Sequence, residues 1–338
     1  MILRTIDAHA AGGPLRLVVD GFPAPRGKSM LDKREWAGRH ADHLRRALIL
    51  EPRGHADMCG AVLTEPTSPG AHAGVLFFHN GGYSSMSGHG VIAVTTIAIE
   101  RALVMPGDDG TTIVFDTPAG TVRAIATVTE AASSDSERQV RVERVTFSNV
   151  PAFVLYAGVP VQLGARHLRA DVAYGGAFYA IVDAEAAGVT IDIAHVPELR
   201  RGGIALREAV ERAVTIAHPS HGSTAAIDGT IFTGPPHDSG ADLRNAIVFA
   251  DGAVDRSPGG TGTSAVMAVI DAMGLLAEDR PFVHESLLGT RFSGRVSSRT
   301  AVGDYPSIVT DIEGSAWITG EHTFVLDDRD PLKHGFRS

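Results

Sequence analysis

Cysteine, lysine and long apolar runs are scarce in this chain of 338 residues, and each scarcity excludes a class of protein. Cys59 is the single cysteine, so the chain has neither an internal disulfide nor a metal site built from several thiolates. The lysines are Lys28, Lys33 and Lys333, and none follows the glycines of a phosphate-binding loop. No apolar segment approaches the roughly 18 residues that a membrane span requires. The sequence therefore predicts no membrane segment.

The balance of charge argues against nucleic acid as a partner. The net charge is −9 and the arginines are scattered, so no basic patch is available for a phosphate backbone. A small ligand, including an anion held by local dipoles, fits this composition better. Residues 1–7 alternate apolar and polar positions without a basic region or a cleavage site, which predicts a cytoplasmic protein. The sequence leaves open whether the chain forms a homodimer.

Two glycine-rich turns each lead into a helix that has no polar face. Residues 84–90 (SSMSGHG) precede the apolar segment 91–99, and residues 255–262 (DRSPGGTG) precede the segment 263–270. A helix that is apolar on every side belongs in a core. Its first N–H groups have no partners within the helix and lie at the positive end of its dipole, so each turn is a candidate anion site. The copies lie about half a chain apart, which predicts two related halves.

The remaining pattern predicts a mixed α/β protein. Single cores stop growing near roughly 250 to 300 residues, so two domains are expected. Apolar spacing predicts an amphipathic helix over 33–50, with Arg and His outside, and another helix over 204–217. The linker-like segment 129–137 predicts a tip or a domain crossing. Strands are expected as a pair within 1–24 and then over 61–64, 75–79, 112–115, 121–128, 140–147, 152–156, 175–182, 230–234, 245–250 and 315–326.

Two patterns could hold a cofactor or a metal, but a structural interpretation is favoured for both. Residues 260–265 (GTGTSA) match a dinucleotide fingerprint, yet the predicted strand ends several residues before the glycines, which argues against nucleotide binding. His55, Asp57 and Cys59 alternate as if on one face of an extended chain, without a second cluster at metal-ligand spacing. A structural or substrate-contacting role is favoured for these residues, and Cys59 is expected to be a small buried hydrophobe.

Ser87 has two interpretations that the pattern does not separate. It opens a helix two residues before His89, as a hydrolase nucleophile would. However, Ser85 stands where the first glycine of a nucleophile elbow belongs. A serine at this position also caps a helix. Cap and catalytic group both stay open.

Taken together, these motifs resemble the proline racemase family. The matching segments are Asp7-Ala8-His9 with Gly12-Gly13, residues 51–58 (EPRGHADM), 86–90 (MSGHG), 115–120 (FDTPAG) and 255–264 (DRSPGGTGTS). The resemblance implies the diaminopimelate-epimerase fold: two pseudo-symmetric α/β (α+β) domains, each a curved sheet around one buried helix, with the active site in the cleft between them. It implies an N-terminal half of residues 1–130 plus 308–338 and a C-terminal half of residues 131–307. No cofactor and no metal are implied.

The same resemblance implies a mechanism in which two cysteines, one at each helix start, work on opposite faces of a proline-type Cα. Helix-terminal amides would hold the substrate carboxylate and the charge that develops on deprotonation. The implied backbone donors are Gly88, His89, Gly260 and Thr261. His89 and Asp255 would grip the ring nitrogen.

This chain departs from that pattern at both cysteine positions, which hold Ser87 and Gly259. Glycine cannot carry a proton, and a serine hydroxyl is far less acidic than a thiol. The resemblance implies an alternative, since family members that keep one cysteine and replace the other include dehydratases of trans-3-hydroxy-L-proline. Dehydration needs one Cα base, so it suits the unequal pair better than racemisation. The absent side chain at Gly259 is expected to leave space for a hydroxyl or a water.

Two other functions stay open. One is a 4-hydroxyproline 2-epimerase or proline racemase in which a water or a nearby side chain replaces the second base. The other is a non-catalytic binder of proline-like acids. Arg53 and Arg256 are weaker candidates for substrate contact, because an arginine beside a proline turn often only ties loops together.

Overall fold

The computed structural model describes residues 1–131, 139–220 and 224–337, and its backbone falls into two compact units. The first comprises Met1–Phe147 with Glu313–Ser338, and the second comprises Ser148–Ile312. The sequence placed these boundaries at 130/131 and 307/308. The predicted linker at 129–137 lies almost wholly outside the described residues.

The first unit pairs its strands in the order β17-β1-β2-β3-β4-β6-β7. The pairs β2–β3 and β4–β6 are parallel, and the other four pairs in this order are antiparallel. The strand β17 thus returns the chain's end to β1, as predicted. The elements are β1 (Ile2–Ala10), β2 (Gly13–Asp20), α1 (Met30–His40), α2 (Asp42–Ile49), β3 (Cys59–Thr64), β4 (Ala73–His79), β5 (Gly82–Tyr83), α3 (Gly88–Glu100), β6 (Thr112–Thr117), β7 (Gly120–Ala131), β8 (Gln139–Ser148) and β17 (Ala316–Val325).

The second unit pairs its strands in the order β9-β10-β11-β12-β13-β14-β15. The pairs repeat the same sequence of antiparallel and parallel contacts. The elements are β9 (Ala152–Leu163), β10 (Arg166–Tyr174), β11 (Phe178–Asp183), α4 (Ala184–Ala187), a 3-10 turn (Ile193–His195), α5 (Val196–Ala213), β12 (Gly229–Gly234), β13 (Leu243–Phe249), α6 (Gly260–Ala272), β14 (Phe282–Glu285), β15 (Arg291–Val302) and β16 (Tyr305–Gly314). An identical pairing pattern in both units is what related halves predict.

Each unit is built around one buried apolar helix, as the sequence predicted. Every residue of α3 from Gly88 to Ala98 is buried, and the helix packs against β1, β2, β3, β7 and β17. In α6 the first nine residues are buried, and that helix packs against β9, β10, β11 and β15. Burial of Val, Ile and Met side chains on all sides gives each helix a fixed position, since a polar face is not available to turn outward.

The helix predicted over 33–50 is two helices, α1 and α2, so that prediction was wrong in its continuity. Ala41 leaves the helical conformation with φ −127° and ψ 9°, and α1 ends there. Ser29 and Asp32 form a capping box at its start. The prediction that the Arg residues face outward also fails at Arg45, which is buried and donates to the carbonyls of His79 and Asn80.

The helix predicted from 204 begins at Val196, because the 3-10 turn and Pro197 in its first turn start it earlier. It ends at Ala213 rather than at 217. Five strands, β5, β10, β14, β15 and β16, had no sequence prediction. No helix within the described ranges is long and apolar enough to span a membrane.

Candidate active site

Ser87 caps the buried helix of the first unit. Its backbone is extended, with φ −141° and ψ 114°, and its Oγ accepts a hydrogen bond from the Gly90 N–H at 3.2 Å. The Val91 N–H closes the first helical turn on the Ser87 carbonyl at 2.9 Å. The capping interpretation is therefore confirmed. The same geometry holds the hydroxyl at the positive end of the helix dipole, where negative charge is stabilised.

The turn before Ser87 is fixed by contacts to other elements. The Ser84 N–H donates to the carbonyl of Phe77 on β4, and the Ser85 side chain accepts from Arg34 at 2.8 Å. The Ser85 carbonyl accepts from the Ala119 N–H. Gly88 and His89, which follow this turn directly, are both buried.

Gly259 opens the second buried helix without a side-chain cap, and its φ is 72°. Its N–H donates to Ser257 Oγ at 3.1 Å, and that hydroxyl donates to Asp255 Oδ1 at 2.9 Å. The Ser257 N–H also donates to Asp255 Oδ1, at 2.8 Å. Asp255 is 5% exposed, so one oxygen of a buried carboxylate organises the turn. The predicted residues Asp255, Gly259, Gly260 and Thr261 are thus consecutive parts of one structured turn.

A buried network behind Gly259 was not predicted. Pro258 O accepts from Asn245 Nδ2 at 2.8 Å and from Thr263 Oγ1 at 3.4 Å. Thr263 Oγ1 lies 2.9 Å from His284 Nδ1. The network orients the Pro258–Gly259 peptide just before the helix.

His284 is neutral at every moderately acidic pH. Its side chain is fully buried on β14, and burial lowers its pKa to about 3, although the carboxylate of Asp242 acts in the opposite direction. Only a neutral imidazole is tolerated in this site. A histidine in the sequence FVHE gives no sign of this burial.

Thr261 and Ser264 attach the first turns of α6 to neighbouring strands. Thr261 Oγ1 lies 2.7 Å from the hydroxyl of Tyr179 on β11. Ser264 Oγ lies 2.7 Å from Thr310 Oγ1 and accepts from Asn149 Nδ2 at 2.8 Å. All these groups are buried. The helix start is therefore held on several sides by hydrogen bonds.

The structure corrects the expectation that Gly259 leaves an open space. A Cβ added at Gly259 would overlap Cδ1 of Ile247 on β13, and it would lie 3.5 Å from Asp255 Oδ2. A φ of 72° is also disfavoured for any residue with a side chain. An isoleucine methyl thus occupies the place where a hydroxyl or a water was expected.

The segment around Cys59 does not form the extended chain that the alternation of His55, Asp57 and Cys59 suggested. Asp57 has φ 64°, and β3 begins only at Cys59. The three side chains therefore do not share a strand face. Cys59 is half-buried, not fully buried as expected. No group of three or more metal-binding side chains occurs among the residues that the structure describes.

Two carboxylates on the equivalent strands β6 and β14 accept hydrogen bonds from equivalent loops. The sequence did not predict this role for either residue. Asp116 Oδ2 on β6 accepts from the N–H groups of Thr67 and Ser68, at 2.7 and 2.6 Å. Glu285 Oε2 on β14 accepts from the N–H groups of His237 and Asp238. Burial alone raises the pKa of Asp116, but the hydrogen bonds outweigh it and hold that pKa below its ordinary value. The repeated arrangement is structural.

The motif residues Asp7 and Arg53 also have structural roles. Arg16 donates to both oxygens of Asp7, and Nη2 lies 2.7 Å from Oδ2 in this buried pair. Arg53 donates to the carbonyls of Val325 and Lys333 and so attaches the C-terminal segment. Arg53 thus matches the loop-tying interpretation.

Comparison with known proteins identifies the family. The proline racemase family model matches residues 5–337. The chain is 42% identical to the trans-3-hydroxy-L-proline dehydratase of Bacillus cereus over 335 residues, covering 99% of this chain and 98% of that protein. It is 40% identical to the proline racemase of Clostridioides difficile over 336 residues, covering 99% and 97%.

A solved structure of a hydroxyproline epimerase from Agrobacterium vitis, with bound trans-4-hydroxy-L-proline, has a TM-score of 0.88 at 28% identity, covering 99% of this chain and 94% of that one. A Bacillus anthracis protein of the PhzF family shares the fold alone, with a TM-score of 0.55 at 12% identity, covering 96% of this chain and 99% of that one. The chain belongs to the proline racemase family.

Proposed function

We propose that this protein is a cofactor-independent hydro-lyase that converts trans-3-hydroxy-L-proline to Δ1-pyrroline-2-carboxylate. The observation that carries the proposal is the inequality of the two helix starts. Ser87 places a hydroxyl at the start of α3, whereas Gly259 places no side chain at the start of α6. The 42% identity to a dehydratase of that name supports the same reaction.

The proposed chemistry needs one base. Ser87 takes the Cα proton or positions the group that takes it, and the Cα–H electrons form the Cα–Cβ double bond as the Cβ–O bond breaks. The departing hydroxide takes up a proton and leaves as water. The enamine then tautomerises to the cyclic imine, so no oxidant or reductant is consumed.

The helix starts supply the electrostatic part of the proposal. N–H groups of Gly88, His89, Gly260 and Thr261 would stabilise the substrate carboxylate and the charge that develops on it. His89 and Asp255 would hold the ring nitrogen. Both side chains are buried, so their interaction with a charged amine would be little screened by water. That both helix starts serve one substrate stays a prediction from the sequence.

The direct test is incubation of the purified protein with trans-3-hydroxy-L-proline. The proposal predicts a pyrroline that reacts with 2-aminobenzaldehyde, in an amount that matches the substrate consumed. Absence of this product across a broad pH range would overturn the proposal. We also propose that the protein acts in the cytoplasm on this small-molecule substrate.

The second candidate is a 4-hydroxyproline 2-epimerase or proline racemase, which the similarity to the Clostridioides difficile and Agrobacterium vitis proteins favours. It predicts that deuterium from heavy water enters Cα together with inversion, without loss of the ring hydroxyl. A non-catalytic binder would instead bind pyrrole-2-carboxylate saturably and turn over no hydroxyproline.

A further inference from the structure

We infer that Ile247 determines the reaction specificity, because its δ-methyl excludes a second proton-carrying side chain at position 259. This inference rests on the proposed function, and it identifies the residue that limits the site to one-sided proton chemistry.

The first argument is the position of Ile247. It lies on β13, is 1% exposed, and its carbonyl accepts from the Asp255 N–H at 2.9 Å. Its side chain therefore projects from a strand that is bonded to the catalytic turn itself. Cδ1 overlaps a Cβ built on Gly259 and lies 2.6 Å from one built on Gly262. One methyl thus lies against both glycines that flank the helix start.

The second argument is the comparison with the equivalent turn of the first unit. Phe77 on β4 lies against Gly90 as Ile247 lies against Gly262, with Cε1 2.6 Å from a Cβ built on that glycine. The Phe77 carbonyl likewise accepts from the Ser84 N–H in the turn. Ser87 nevertheless keeps its side chain, which caps α3. A bulky residue beneath the second glycine is therefore compatible with a side chain at the cap, and the difference in the second unit is that Ile247 Cδ1 also lies against the cap position, Gly259.

The third argument is the backbone at the two caps. The ψ angles of Ser87 and Gly259 are 114° and 117°, whereas their φ angles are −141° and 72°. The caps thus differ in a single torsion. In the second unit the φ value accompanies an extra residue, since three residues separate Asp255 from Gly259 and two separate Ser84 from Ser87. A side chain at position 259 would thus require both a shift of the Ile247 methyl and a disfavoured φ.

The geometry also indicates which change would restore space. Replacing Ile247 with Val removes Cδ1 alone, and the next atom, Cγ1, is 3.8 Å from the added Cβ. That separation is an ordinary van der Waals contact. Ile231 offers a matched control, because its Cδ1 lies 3.2 Å from a Cβ on Gly262 and does not appear among the nearest atoms at Gly259.

The activity test uses L-proline, which has no hydroxyl to lose, in heavy water. We compare Gly259→Cys, Ile247→Val, the double variant Gly259→Cys/Ile247→Val and the control Gly259→Cys/Ile231→Val. The strained φ is common to the three cysteine variants, so the comparison isolates the methyl. The double variant with Ile247→Val should invert and deuterate proline about tenfold faster than each of the others.

The inference would be overturned if Gly259→Cys alone inverted proline as fast as Gly259→Cys/Ile247→Val. It would also be overturned if that double variant dehydrated trans-3-hydroxy-L-proline but did not invert proline. Loss of the proposed function has a different signature, since the unaltered protein would then form no pyrroline.

A stability test decides the steric claim without any turnover. In the unaltered protein, Ile247→Val should lower the melting temperature, because a buried methylene is lost. Gly259→Ala alone should lower the melting temperature by about 5 °C through overpacking, and adding Ile247→Val to this variant should raise the melting temperature again. Ile231→Val should lower it in both backgrounds. A decrease caused by Ile247→Val in both backgrounds would overturn the inference.

Discussion

Acid sensitivity is the most quantitative consequence of the network behind Gly259. His284 is fully buried, and burial lowers its pKa from 6.5 to about 3. The folded protein thus keeps this imidazole neutral, while the unfolded chain protonates it below about 6.5. Stability conferred by the neutral form is complete above that pH and is lost as the pH falls from about 6.5 towards 3.

The size of the effect follows from this pKa difference. Between pH 7.5 and 5.5 the unfolded chain takes up nearly one proton at His284, and the folded protein takes up almost none. Linkage then lowers the free energy of unfolding by about 1.4 kcal/mol over this interval through His284 alone. Other titrating groups contribute to the total, so the informative quantity is the difference between the unaltered protein and a variant.

The variant His284→Asn retains a side-chain amide near the position of Nδ1 and removes the titration. We expect urea unfolding of this variant to lose about 1.4 kcal/mol less between pH 7.5 and 5.5 than the unaltered protein loses. Thr263→Val breaks the same hydrogen bond but leaves the imidazole buried, and it should keep the full pH dependence. An unchanged pH dependence in His284→Asn would refute the reasoning.

Two further variants test the contacts that hold the turns and the core. Asn245→Ala removes the 2.8 Å hydrogen bond to Pro258 O and should lower the free energy of unfolding by about 1 to 3 kcal/mol in urea titrations, because a buried carbonyl loses a donor. Arg16→Met leaves the buried carboxylate of Asp7 without its bidentate partner and should lower the free energy of unfolding by about 3 to 5 kcal/mol in the same assay. Adding Asp7→Asn to Arg16→Met should partly restore this stability. Unfolding free energies within error of the unaltered protein would contradict either expectation.

The buried helices were predictable because their sequences leave no alternative. A segment such as 91–99 has no polar face, so it can lie only in a core, and the glycine turn before it gives its starting point. The repeat of this construction likewise predicted two related halves. The break between α1 and α2 was not predictable, since alanine at position 41 continues a helical pattern.

The candidate site divides in the same way. Ser87 as a cap follows from local sequence, because its side chain reaches an N–H three residues away. Ile247 lies against position 259 although the two residues are twelve positions apart, and the sequence spacing does not predict this contact. His284 and Asn245 were missed for that reason too: their contacts with the turn come from neighbouring strands. Sequence patterns predict the ends of helices better than what packs beneath them.

The most direct test of the central claim is the rate of pyrroline formation by Ser87→Ala with trans-3-hydroxy-L-proline. Loss of the base, or of the group that positions it, should lower the rate by about 10²- to 10⁴-fold. Ser84→Ala, three residues earlier in the same turn, serves as the control and should retain most of the activity. A Ser87→Ala protein as active as the unaltered one would show that Ser87 is only a helix cap and would contradict the account.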